Sequence, residues 1–134
     1  MAKFKSDITD IQTTPEKVFP FLGDLNNLRL IMPEQVENWT SDNDECSFSI
    51  KNLGNLGLKN GRATFPEKIS FASSGQSKVT FELIFSLNPV GNESHSASFE
   101  IIAEMNSMVE MMAKRPLTNF VNLLIVNLKS LIEK

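Results

Sequence analysis

The sequence has no tyrosine and, in 134 residues, only one cysteine, one histidine and one tryptophan. Each scarcity excludes something. Cys46 alone makes no internal disulfide, which fits a reducing compartment. His95 alone leaves no histidine set for a metal, and no catalytic constellation surrounds it in sequence. The absence of tyrosine removes the phenolic hydroxyl as a donor in any site. Neither sign of charge dominates: 13 basic and 16 acidic residues are spread along the chain, for a net charge of -3. No basic block marks a nucleic-acid surface, so nucleic acid is not an expected partner. The opening Met1-Ala-Lys-Phe-Lys-Ser-Asp lacks the apolar stretch of a secretory signal, so a cytoplasmic protein is expected. The most apolar tract, Leu117 to Ile132, is interrupted by Asn119, Asn122, Asn127 and Lys129. No integral membrane segment is expected from it.

What is present reads as one ordinary globular domain over residues 1–134, with 41% hydrophobic and 22% charged residues. From Asn106 to Lys134 the chain reads as one long amphipathic helix. Leu117, Phe120, Val121, Leu124, Leu128 and Leu131 step by three and four along one stripe. Ser107-Met108-Val109-Glu110 has the form of a capping box and sets the helix start near Met108. Pro116, inside this pattern, should kink or divide the helix.

The preceding chain is mostly β-type. Phe4 to Ile11 reads as a strand. Thr14-Pro15-Glu16 opens a helix with Val18, Phe19 and Leu22 at helical spacing; Gly23 ends it. Asp24 caps a second short helix to about Ile31, and Pro33 stops that one. Val36 to Ser41, Cys46 to Ile50, Leu56 to Phe65, Ile69 to Phe71, Lys78 to Leu87 and Ala97 to Ala103 read as strands. Turns fall at Asn43-Asp44, Ser73 to Gln76 and Asn88 to Asn92. Seven strands joined by short turns argue for an antiparallel meander.

Strand, two short helices, a six-strand meander and a long C-terminal helix is the order of the helix-grip fold. On three stretches the sequence resembles the START-like, SRPBCC superfamily, which includes birch-pollen-allergen and polyketide cyclase/dehydratase-like proteins. These are Ile11-Gln-Thr-Thr-Pro-Glu-Lys-Val-Phe-Pro-Phe-Leu-Gly-Asp-Leu-Asn-Asn, the strand and glycine turn from Phe48 to Gly57, and Met111-Met-Ala-Lys-Arg-Pro-Leu-Thr-Asn-Phe. The resemblance implies an α+β fold, a seven-stranded curved antiparallel sheet wrapped around the last helix with an apolar cavity between them. Members bind lipids, hormones, polyketides or quinones; some are enzymes and others pair with proteins. The paired Cys/His spacing of the Rieske domain that precedes some catalytic relatives is absent.

The apolar residues phased toward the helix are the candidate ligand site: Phe48, Ile50, Leu58, Phe71, Phe81, Leu83, Phe85 and Phe99 on the sheet, with Met108, Met112 and Phe120 facing them. Arg62 shares the phase of Leu56 and Leu58, as does Asn60. It either points inward, where it could hold a carboxylate or phenolate, or is turned outward by a bulge at Gly61. His95, beside a Gly-Asn turn, is expected in solvent. Glu82, Glu100 and Glu104 read as a solvated sheet face. Cys46, alternating with Phe48 and Ile50, reads as an inert buried thiol. The expected function is non-catalytic binding of a small apolar or amphipathic molecule, with no cofactor and no metal. One alternative is a cyclase- or dehydratase-like enzyme in which Arg62 polarises a carbonyl. The other is a protein-interaction module with a filled core and an exposed apolar patch near Trp39. Oligomeric state is left open.

Overall fold

The computed structural model describes residues 2–51, 53–75, 77, 79–91 and 94–133. In chain order the elements are β1 (Ala2–Lys5), β2 (Thr9–Gln12), α1 (Pro15–Gly23), a 3-10 helix (Leu25–Ile31), β3 (Val36–Ser41), β4 (Glu45–Ile50), β5 (Gly54–Thr64), β6 (Lys68–Ser73), β7 (Phe81–Gly91), β8 (Ser94–Ala103) and α2 (Ser107–Ile132). The strands form one antiparallel sheet in the order β1-β8-β7-β6-β5-β4-β3, with β2 also paired to β8. This is the α+β helix-grip arrangement: a meander whose concave face packs on a long C-terminal helix.

The described sheet has eight strands where the sequence pattern gives seven, because Phe4 to Ile11 is broken. Lys5 pairs with Glu100 and Thr9 with Ala97. Four steps on one strand thus face three on the other, and the extra residue is a bulge. Ser6 holds it. Its backbone N–H donates to Phe99 O at 2.8 Å and its hydroxyl accepts from Phe99 N at 2.9 Å. At the other end of the strand pattern, β7 begins at Phe81 and runs through Asn88, Pro89 and Val90 to Gly91, where a turn is predicted. Gln76, Lys78, Asn92 and Lys134 lie outside the described residues.

Asp24 caps the 3-10 helix, its side chain accepting from Asn26 N at 3.0 Å. For α2 the cap is Asn106, whose Oδ1 accepts from Val109 N at 2.9 Å, one residue before the expected Ser107. Pro116 leaves α2 undivided, although it withdraws one backbone donor.

Period-two alternation seats the concave face. Phe81, Leu83, Phe85 and Leu87 of β7 are buried, as are Ala97, Phe99, Ile101 and Ala103 of β8. Phe85 and Phe99 are cross-strand partners with ring centroids 5.1 Å apart. Trp39, Phe48 and Phe120 form a continuous stack at 5.7 and 5.9 Å, which joins β3 and β4 to α2. The face of α2 that closes this core is Leu117, Phe120, Val121, Leu124, Ile125 and Leu128, all buried. Burying each such side chain stabilises the fold by about 1.5–3 kcal/mol before entropy is counted. Polar ties fix the same half of the helix. Asn127 Nδ2 donates to Ile31 O at 2.9 Å, Asp7 N to Asn122 Oδ1 at 2.7 Å, and Lys129 Nζ to Asp10 O at 2.6 Å.

Candidate functional site

The first turns of α2 are not seated as the rest is. Between them and the sheet lies a cavity of about 130 Å3, lined by Leu53, Leu56, Val79, Phe81, Ile101, Ala103, Met105, Val109, Met112 and Leu117. Its walls come from the β4–β5 turn, the beginnings of β5 and β7, the end of β8 and the opening of α2. At the end of β8 the small Ala103 faces this space, and on the helix the only buried residue before Leu117 is Ala113. A side chain as small as Ala103 leaves volume unfilled in the wall it belongs to. All ten lining side chains are apolar, so the cavity offers burial without hydrogen-bond direction. Its volume is close to that of an engineered apolar void of about 150 Å3 that stays dry and takes up benzene.

Two of the residues predicted from sequence, Phe81 and Met112, line this cavity. Phe48, Ile50, Leu58, Phe71, Leu83, Phe85, Phe99 and Phe120 are buried in the packed core and do not border it. Met108 is 72% exposed. Leu53, Leu56, Val79, Ile101, Ala103, Met105, Val109 and Leu117 complete the lining and are absent from the predicted set. Leu53, Leu56, Val79, Ile101, Ala103 and Met105 sit at or beside strand ends and turns, whereas alternation is clearest at strand centres, where packing is complete; Val109 and Leu117 come from α2.

Arg62 is turned outward by the predicted bulge. The pairing of β5 with β6 slips between Asn60 and Ala63, so Gly61 and Arg62 sit in the slip. A Cβ on Gly61 would lie 2.6 Å from Ser70 O, so this close approach requires glycine. Arg62 N then donates to Ser70 Oγ at 3.1 Å, and the exposed side chain lies in a shallow surface with Lys68, Glu82 and Ile84. It does not border the cavity, and the carbonyl-polarising role has no geometry to support it. Asn60 stays opposite Phe71 but opens into a groove beside α1, near the edge-to-face pair Phe19–Phe65 at 5.1 Å.

His95 is buried, not in solvent. It lies in β8 opposite Ile11, and its Nδ1 is 3.0 Å from Thr13 O, so it ties the end of β2 to the sheet. Burial pushes the Cys46 thiol up to about 12, against the lowering effect of a backbone hydrogen bond at Leu58. It therefore stays protonated and unreactive at neutral pH. Glu82 and Glu104 are exposed and Glu100 is half-buried opposite Lys5. Among the described residues no three His, Cys, Asp or Glu side chains cluster as metal ligands, and no helix is long and apolar enough to cross a membrane. Trp39 is half-buried on Phe48, with Nε1 donating to Ser41 Oγ at 3.0 Å. Met108, Met111 and Met112 at the start of α2 are exposed, as are Ile8, Leu30, Phe65, Val90 and Val126 elsewhere.

No protein-family profile matches the sequence, and no curated protein sequence matches it. Solved structures do match in fold. The protein XoxI from Bacillus cereus superposes with a TM-score of 0.73 at 11% identity, over 100% of this chain and 97% of that one. A START superfamily protein from Mycobacterium smegmatis gives 0.69 at 13% identity, over 99% and 98%. The Aha1 dimer from Colwellia psychrerythraea gives 0.67 at 15% identity, over 99% and 97%. In architecture, the described chain shares the helix-grip fold of these structures, among them a START superfamily protein.

Proposed function

We propose that this chain binds a small apolar or amphipathic molecule, without chemistry, in the cavity between the sheet and the first turns of α2. The observation that carries this reading is the cavity itself: about 130 Å3, partly open to solvent and lined by ten apolar side chains. That space suits a single ring or a short alkyl segment. A longer amphipath would bury its apolar end there and lay the remainder across Met112 and Met108, whose flexible thioethers adapt to irregular shapes. Such a lining supplies a ligand with desolvation but no acid, base or oxyanion donor, which favours binding over catalysis. The START-like fold supports the same reading, and a cytoplasmic setting fits the single buried thiol.

Calorimetric titration with benzene, toluene and propylbenzene tests it. Saturable binding is expected, and Ala103→Leu, which fills the cavity from the sheet side, should abolish it while the thermal transition persists. Wild-type protein that binds none of the series saturably would overturn the proposal.

A further inference from the structure

The sulfur atoms of this chain fall into two environments. Cys46 is 2% exposed, and burial pushes its thiol up to about 12, so an oxidant at neutral pH meets neither an accessible sulfur nor a thiolate there. Among the described residues no methionine lies in the buried core; Met32 and Met105 are partly buried against it. Met108, Met111 and Met112, at the opening of α2, are 72%, 80% and 68% exposed. A thioether has no proton to lose, so its exposure decides how readily it is oxidised.

Of these three, Met112 alone borders the apolar cavity. It stands one turn after Val109, another wall of that cavity, and a helical side chain leans toward the turn before it. One thioether is thus open to solvent and also part of an apolar lining. The burial that seats α2 runs from Leu117 to Leu128, so a change at Met112 leaves the fold in place. We propose, resting on the binding reading above, that Met112 is a peroxide-sensitive modification site that sets the affinity of the cavity. A lone pair on the Met112 sulfur attacks one oxygen of a hydroperoxide, and the S–O bond forms as the O–O bond breaks. The attacked oxygen passes its proton to the other, which leaves as water or an alcohol. Sulfur gives up two electrons and the peroxide takes them, with no side chain acting as acid or base. The sulfoxide is polar where the thioether was apolar. Turned inward, it sets an unpartnered acceptor against an apolar lining; turned outward, it leaves a gap in the wall. Either way an apolar ligand loses favourable burial.

Hydrogen peroxide treatment of the full chain, followed by peptide mass spectrometry and calorimetric titration with benzene, tests the proposal. Sulfoxide is expected at Met108, Met111 and Met112 before Met32, with Cys46 unmodified. Protein oxidised at those three should bind benzene at least about threefold more weakly than untreated protein, with an unchanged circular dichroism spectrum. M112L, treated in the same way, should keep the affinity of its own untreated form. The double variant M108L/M111L should lose affinity on treatment as wild type does. Met112 left unmodified after Met32 has reacted, affinity unchanged by full oxidation of Met112, an equal loss in M112L, or a spectrum lost on oxidation would each overturn the proposal while the binding reading stands. Untreated wild type that binds no benzene overturns that reading, and this proposal with it.

Discussion

The two halves of α2 hold similar side chains in opposite circumstances. From Leu117 to Leu128 six apolar residues are buried, whereas from Ser107 to Pro116 only Ala113 is. The polar anchors follow the same division: Asn122, Asn127, Lys129 and Glu133 reach back to β2, the 3-10 helix and the bulge, while the first half has its cap at Asn106. Apolar content therefore does not decide burial along this helix. The surface opposite does. The second half crosses a face of full-sized side chains, and the first half passes over the end of β8, where the small Ala103 leaves a cavity. One half holds the fold together and the other leaves apolar surface beside a cavity.

The largest expected contrast comes from truncating one residue in each half. Phe120→Ala removes the last ring of the Trp39–Phe48–Phe120 stack and should cost about 3–5 kcal/mol in chemical denaturation. Met112→Ala, mostly exposed, should stay within about 0.5 kcal/mol of wild type. Equal costs would erase the distinction. Ser6→Ala is next. It leaves the buried Phe99 N–H without its hydroxyl acceptor and loosens the bulge whose Asp7 anchors Asn122, at about 1–3 kcal/mol. Asn127→Ala loses the tie to Ile31 O; about 1 kcal/mol is expected, with faster amide exchange in the second half of α2 alone.

The smallest effect is on pH dependence. A hydrogen bond from Gln12 N, and then one from Lys129, hold the Glu133 carboxyl below its ordinary 4.5. A carboxyl lowered by folding contributes fully above 4.5, and its contribution is lost as pH falls from there through the lowered value. Glu133→Gln should therefore lose a little stability at neutral pH and show a flatter decline below 4.5, measured by denaturation at both. An identical decline in the two proteins would show that this anchor carries no charge-dependent stability.

The fold was legible because its elements announce themselves locally. Alternation at Cys46–Phe48–Ile50 and Phe81–Leu83–Phe85, the Asp24 cap and the helical stripe from Leu117 each follow from side-chain period or backbone chemistry over a few residues. The bulge at Gly61 was also readable, since an isolated glycine in a strand pattern marks close backbone approach. The one at Ser6 was not, because it depends on which residue of β8 its hydroxyl meets. His95 was misplaced for a related reason: β8 begins at Ser94 and β2 covers it, a contact between segments 82 residues apart. Little of the cavity's lining was legible in the sequence. Met112 and Phe81 of the predicted set do border it, but a cavity arises where opposing side chains fail to meet. That depends on pairs such as Ala103 with Val109, set by the tertiary arrangement and not by the period of either segment.

Methyl NMR of the full chain titrated with benzene separates the two halves most directly. Methyl signals of Leu53, Leu56, Val79, Ile101, Val109 and Leu117 should shift in a saturable way, while those of Leu124, Ile125 and Leu128 stay in place. Saturating ligand that moves no methyl around the cavity, or that moves Leu124 and Leu128 equally, would contradict the division of α2 into a structural half and a binding half.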